Sequence, residues 1–263
     1  MNKYVIYTAL TGSYDNIMQP KVIAADFDYI CFTNNVQISQ AGVWKIKKIP
    51  PVIDDLQRLS RFPKMHPHVL LSEYEYSVYI DANVCIISNE FYDVVRNKIS
   101  NRVLLSGIKH PLRSCVYDEF YNVWLWRKEK DFSIMRKEYR FLKRSGFPRN
   151  YGMYEANIIF RNHQDKQIIA QCEQWWLMIN TFSKRDQLSY SYTLWSQKIP
   201  FDYLCIPGRQ RENNLYKVIG HSASRKSKNL YQRILNRIER DIFHFLLTHK
   251  AILIHKLFYI LLK

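Results

Sequence analysis

Ser77-Val-Tyr-Ile-Asp-Ala-Asn83 is the stretch on which the fold turns. Four residues suited to a buried strand run straight into Asp-x-Asn. In extended chain the side chains alternate, so Asp81 and Asn83 fall on the same side at the strand's carboxyl end. Similar runs lie outward in both directions: Tyr4-Val-Ile-Tyr7, Tyr29-Ile-Cys-Phe32, Arg102-Val-Leu-Leu-Ser106 and Asn157-Ile-Ile-Phe160. Between them, residues 54–70, 89–99, 117–144, 164–180 and 186–197 read as helices. Strands alternating with helices predict an α/β fold, a mostly parallel doubly wound sheet flanked by helices. Ligands of such sheets sit at the carboxyl ends of the strands. Thr8–Asp15 and Asp81–Asn83 would lie there.

The 263 residues suffice for one α/β domain with an appendage. With 47% hydrophobic and 24% charged residues, the chain is neither disordered nor fibrous. Lys and Arg number 39 against 23 Asp and Glu, giving +16 and predicting an anionic partner. The five cysteines show no CxxC spacing, which argues against a zinc knuckle and a disulfide framework. No apolar run reaches the ~18–20 residues of a bilayer span. The opening MNKYVIYTAL reads as a strand rather than a signal peptide, so a cytoplasmic location is expected.

Composition changes near Pro207, and the expected division is a domain over residues 1–221 and a basic helical tail over 222–263. The tail holds nine Lys/Arg and two Asp/Glu. Arg233, Arg237, Arg240 and His244 share one helical face, and Ile234, Ile238, Ile242 and Phe245 share the other. A basic amphipathic helix suits an anionic membrane surface, here the inner face. The alternative is a helix that packs on the sheet or on a second subunit.

Asp81 and Asn83 offer oxygen ligands to a hard cation, Mn²⁺ or Mg²⁺, which keeps positions open for phosphate oxygens. An Asp at a strand end also serves as a turn or helix cap. Further blocks extend the pattern: Tyr7–Asp15, Cys31-Phe-Thr33, Trp44, Arg58–Lys64 with His68, Tyr79–Asn83, His110–Glu119, Glu155–His163, Trp175-Trp176 and Arg185–Ser189. In these blocks the chain resembles a glycosyltransferase-like family first catalogued as a domain of unknown function. That family includes plant proteins linked to pectin and mucilage synthesis and bacterial polysaccharide enzymes. The resemblance implies a GT-A-like (Rossmann-like) fold and sugar transfer from a nucleotide-sugar donor, with UDP as the default nucleotide. The chain also resembles the retaining family 8 glycosyltransferases in the order of Asp81/Asn83, Asp186-Gln187, and His221 with Lys226. Asn83 stands where that pattern has a second Asp.

The resemblance implies a role for each block. Thr8, Ala9, Leu10, Thr11 and Gly12 would grip base and ribose, Tyr14 would stack on the base, and Asp15 would face the ribose hydroxyls. Arg58, Arg61 and Lys64, spaced by three along a helix, would stabilise the departing diphosphate together with Lys226. Asp81, Ala82 and Asn83 would complete the donor site, with Asp81, Asn83 and His221 as metal ligands. On the acceptor side stand His110, Arg113, Tyr117, Glu119, Arg161 and Arg185. Glu155 and Asp186, with Gln187, are the candidate catalytic groups, and partial burial would raise the carboxyl pKa values. The competing reading makes Glu119, Arg161, Arg185 and Glu155 structural ion pairs. Trp175 and Trp176 read as core.

The acceptor expected for such an enzyme is a glycan or lipid-linked glycan. A hydrolase using the same carboxylates is the alternative within enzymes. A non-catalytic nucleic-acid binder fits less well, because the aromatics lie in apolar segments while the charge concentrates in the tail. No nucleic-acid partner is expected.

Overall fold

The computed structural model describes residues 4–12, 17–206, 213–219 and 258–262. In chain order the elements are β1 (Tyr4–Leu10), β2 (Phe27–Thr33), β3 (Gln40–Ala41), β4 (Trp44–Lys48), α1 (Leu56–Met65), α2 (Pro67–Leu70), β5 (Tyr76–Ile80) and β6 (Val84–Ile86). They continue with α3 (Glu90–Ser100), β7 (Leu105–Lys109), α4 (Val116–Leu125), α5 (Phe132–Arg144), β8 (Tyr154–Asn162), α6 (Lys166–Thr181), α7 (Asp186–Ser196) and β9 (Tyr216–Val218). Seven strands form one sheet in the order β3-β4-β2-β1-β5-β8-β7, and β6 pairs with β9 in a small second sheet. Strands β4, β2, β1 and β5 are parallel, whereas β8 runs antiparallel to both its neighbours and β3 antiparallel to β4. The sheet is therefore mixed but mostly parallel, as expected.

Helix starts follow side-chain chemistry. Asp55, Asp131 and Asp165 cap α1, α5 and α6, each accepting two backbone N–H groups of the first turn. Two long helices expected from sequence are broken. The 54–70 stretch stops at His66, because the residue before Pro67 is steered out of helical geometry. The 117–144 stretch ends at Leu125, and the chain turns through Arg127 with φ +47° before Asp131 starts a new helix.

The core has three parts. One face of the sheet, with Tyr7, Tyr79, Tyr154 and Ile159, packs on α1, α6 and α7 through Leu59, Trp175, Ile179 and Tyr190. The other face, with Ile6, Val78, Ile80 and Phe160, packs on α3 and the small sheet through Phe91, Val95, Val84 and Tyr216. A third cluster joins α4 and α5 to the ends of α6 and α7, and it takes in Phe258 and Leu262 from a helical turn at 258–262. That turn packs on α4 and α5. Residues 220–257, with His221, Lys226 and most of the tail, lie outside the described residues.

The irregularity in β8 shapes the site. One step along β7, from Gly107 to Ile108, corresponds on β8 to the distance from Ile159 back to Glu155. Ala156–Ile158 are thus unpaired with β7, a bulge that re-aims side chains at a strand end. Gly107 permits the close packing there, since a Cβ on it would meet the Tyr154 ring at 3.0 Å.

Candidate active site

At the carboxyl end of β5, α1 and the first turn of α7 bring four charged groups together. Lys64, 1% exposed, points its ammonium at Asp186 Oδ2 at 2.6 Å and lies 3.8 Å from Asp81 Oδ1. It also sits over the Tyr79 ring, 4.8 Å from the centroid. Arg61 reaches the same Asp186 oxygen at 3.2 Å from one turn earlier on α1. The Tyr79 hydroxyl donates to Asp81 Oδ1 at 2.9 Å, and the Trp175 indole donates to the Asp186 carbonyl at 3.1 Å. Asp186 is the first residue of α7, where the helix dipole favours negative charge.

Burial by itself would raise the Asp186 carboxyl, yet Arg61 and Lys64 beside it hold it well below the usual carboxylate range. This corrects the expectation that burial lifts its pKa. Asp186 is a permanently ionised anchor and a poor proton acceptor. Gln187 is likewise committed: its carbonyl accepts from Ala156 N at 3.2 Å and its amide donates to the Tyr154 carbonyl, so it clamps the bulged strand.

Glu155 and Asn157 project from that bulge into a cavity of about 470 Å³, which Pro111, Asn213, Tyr216, Lys217 and Val218 also line. The Asn157 amide approaches Glu155 Oε2 at 3.4 Å, while its Oδ1 is buried without a partner among the described residues. Asp81 N donates to the Asn157 carbonyl at 2.8 Å, so cavity and charged cluster share a wall. Asn83 donates its amide to the Ile219 carbonyl at 2.8 Å and fixes the end of β9 beside the Asp-x-Asn turn.

Other expected site residues have structural partners. Thr8 and Ala9 are buried within β1, and Ala82 is buried with its carbonyl accepting from Met18 N at 3.0 Å. Leu10 ends β1 half-buried. Thr11 donates to the Leu56 carbonyl at 2.9 Å, and Gly12 N donates to Asn34 Oδ1 at 3.0 Å. Gly12 takes φ +61°, which its missing Cβ permits. Tyr14 and Asp15 lie outside the described residues. Arg58 is spent on Asp55 at 3.1 Å and on the Ile179 carbonyl at 3.3 Å, tying the start of α1 to α6.

The acceptor-side expectations need correction at two residues. Arg161 is 0% exposed, with guanidinium bonds to the Tyr7 hydroxyl at 2.6 Å, the Lys64 carbonyl and Cys172 Sγ at 3.3 Å. It is a core strut that an acceptor cannot reach. Tyr117 is also 0% exposed, its hydroxyl donating to the Phe147 carbonyl at 2.7 Å. Arg113 pairs with Glu119, itself 3% exposed. His110 Nδ1 accepts from Leu112 N and Arg113 N and shapes the loop before α4. Arg185 precedes α7 with its Nε buried and unpartnered among the described residues.

The test for a divalent cation rests on Asp81 and Asn83. Asp81 keeps about a third of its side chain exposed, and Asn83 uses its N–H on Ile219, leaving an amide oxygen. One carboxylate and one amide oxygen suit a hard cation that takes the rest of its shell from water and phosphate. Among the described residues no three His, Cys, Asp or Glu gather into a metal-binding group.

The comparison of sequence decides the family, for residues 1–218 match the TOD1/MUCI70, glycosyltransferase-like domain. The chain belongs to that family. No curated protein matches it in sequence. Among solved structures it is similar to core-mannan synthase A from Aspergillus fumigatus in its Mn/GDP form, at 10% identity, over 77% of this chain and 73% of that one, with a TM-score of 0.43. It is also similar to the bifunctional glycosyltransferase WbbM in its apo structure, at 9% identity, over 73% of this chain and 37% of that one, with a TM-score of 0.35. The glycosyltransferase-like domain thus carries a site whose residues were only partly named from sequence. Asn157 lay inside a quoted block and gave the signal of a polar residue in an apolar strand. Asn213, Tyr216 and Lys217 sit on or beside a three-residue strand too short to announce itself.

Proposed function

We propose that the protein transfers a glycosyl group from a nucleotide sugar, UDP-linked by default, to a glycan or lipid-linked glycan acceptor in surface polysaccharide synthesis. The observation that carries this reading is the charged cluster at the end of β5, placed against the cavity that Glu155 enters. Arg61 and Asp81 are the partly open members of the cluster, and they would face the diphosphate and its cation. Mn²⁺ or Mg²⁺, when bound by Asp81 and Asn83, would supply positive charge to the leaving diphosphate. Lys64 and Asp186 neutralise each other and hold the two open groups in place. Thr11 and Gly12, at the end of β1, would meet the base and ribose in this reading.

Glu155, rather than Asp186, takes the role of the reactive carboxylate, either as base toward the acceptor hydroxyl or as a stabiliser of oxocarbenium-like charge. Asp186 is locked between two cations, whereas Glu155 borders open space. We place the enzyme in the cytoplasm at the inner face of a membrane. The +7 tail over 222–263 supports this, and no described helix is long and apolar enough to cross a bilayer.

Nucleotide release from UDP-glucose, UDP-galactose, UDP-glucuronate and GDP-mannose, with and without Mn²⁺, tests the reading. Turnover of one donor by wild type and a loss of about 10²–10⁴-fold in Glu155→Gln are expected. Equal turnover by the variant would remove Glu155 from the chemistry, and no turnover of any donor would favour the hydrolase.

A further inference from the structure

The described residues carry a basic surface on α5. Residues 126–149, which span the α4–α5 turn, α5 and the loop after it, hold nine Lys/Arg and three Asp/Glu. None of the three acids offsets the charge freely. Glu138 is 0% exposed, Asp131 caps α5, and Glu129 accepts from Ser183 Oγ at 2.8 Å. On α5 the buried residues are Met135, Glu138, Tyr139 and Leu142. Lys137, Arg140 and Arg144, spaced by three and four, fall on the opposite face, with Arg136 and Lys143 on its flank. Like charges at such spacings destabilise a helix. A stripe of them is retained against its own repulsion, as a surface kept for an anion would be.

Apolar groups adjoin this stripe. The 258–262 turn packs beside α5, Phe258 against Phe132 at 6.2 Å and Tyr259 against Tyr139 at 6.1 Å between ring centroids. Phe132 and Tyr139 are seven residues apart, on the side of α5 next to Arg136 and Lys143. The same turn leaves Ile260 and Leu261 64% and 46% exposed, and Trp126 at the end of α4 is 42% exposed. Phe258 also touches Trp124, at 5.1 Å between ring centroids.

We propose that the α5 basic face, with Trp126, Ile260 and Leu261 beside it, is a docking surface for an anionic lipid bilayer. Charge complementarity selects an anionic partner, and the neighbouring apolar groups select a bilayer over a nucleic acid. Single-stranded nucleic acid needs open aromatic rings for stacking among the basic residues. Here Tyr117, Phe120 and Tyr139 are packed inside, and what stands beside the cations is aliphatic with one Trp, the mixture that enters a headgroup layer. This surface is independent of the transferase reading and is built from the described residues alone.

Cosedimentation of the full chain with phosphatidylcholine vesicles, with or without phosphatidylglycerol, tests it. Binding is expected only to the anionic vesicles and should weaken as salt rises. Each basic residue near an anionic surface contributes about fivefold in affinity. Lys137→Gln with Arg144→Gln, both exposed, should therefore lower it about 25-fold without changing the melting temperature. Ile260→Ser with Leu261→Ser should weaken it as well. Undiminished binding by the Lys137/Arg144 variant would overturn the proposal, as would failure of wild type to bind anionic vesicles. Tighter binding to a single-stranded DNA oligonucleotide than to vesicles would also overturn it.

Discussion

The charged cluster at Lys64 and the cavity at Glu155 lie on either side of one strand end, yet they are built in opposite ways. In the cluster every charge has an opposite charge within 4 Å, and Lys64 and Asp186 are closed off from water. In the cavity the Glu155 side chain borders open space, and the amide oxygen of Asn157 beside it is buried without a partner among the described residues. Satisfied groups stabilise and position, whereas under-satisfied ones are kept where a ligand is to complete them. Asp186, Lys64, Gln187 and Arg161 are thus held by partners within the fold, whereas the proposed function gives the chemistry to Glu155.

The comparison breaks first at Asp186. Asp186→Ala leaves buried Lys64 with only the more distant, partly exposed Asp81 as counter-charge, and the cost should be about 3–5 kcal/mol, read by urea denaturation. A loss near zero would mean that the pair is not a scaffold. Glu155→Gln should behave in the opposite way, lowering turnover about 10²–10⁴-fold while shifting stability by no more than about 0.5 kcal/mol.

Acid sharpens the contrast. The Asp186 carboxyl is depressed in the folded state, so its stabilisation is present above the ordinary carboxylate range and is lost as pH falls below about 4. Glu138 has the opposite sign. Burial pushes its carboxyl well above the usual range, so its stabilisation is complete below about 4 and is lost as pH rises. Denaturation followed across pH should show Asp186→Asn flattening the acid limb. Glu138→Gln should raise stability at neutral pH by about 1 kcal/mol, since its side chain can still accept from Ser183 N. The smallest effect falls at Thr8, whose hydroxyl is buried without a partner among the described residues. Thr8→Val should change the melting temperature little or raise it, with nucleotide binding unaltered. A lost nucleotide site would restore Thr8 to the donor pocket.

Much of this was legible beforehand for a physical reason. Long apolar strands ending in polar residues gave β1, β2 and β5, and 3.6-residue periodicity gave α3, α6 and α7 to within two residues. The β3, β6 and β9 strands, of two or three residues, are too short to show a period. The strand end at Asp81 was legible because residue type and position agreed there. It was misread at Arg161 and Tyr117 because polar side chains are by default assigned to the surface. Nothing local marks Arg161 as interior: its partners Tyr7 and Lys64 are 154 and 97 residues away and meet it only when β1, β8 and α1 pack. The lowered carboxyl of Asp186 was equally hidden, since its cations come from α1.

The central claim is that the open members of the cluster, Arg61 and Asp81, hold a nucleotide diphosphate while Glu155 acts beyond it. Calorimetric titration of UDP and GDP into wild type, Asp81→Ala and Glu155→Gln, with Mn²⁺ and then with EDTA, tests it most directly. One nucleotide should bind with Mn²⁺, lose affinity with EDTA or in Asp81→Ala, and bind Glu155→Gln as it binds wild type. Binding of neither nucleotide to wild type under either condition would contradict the claim.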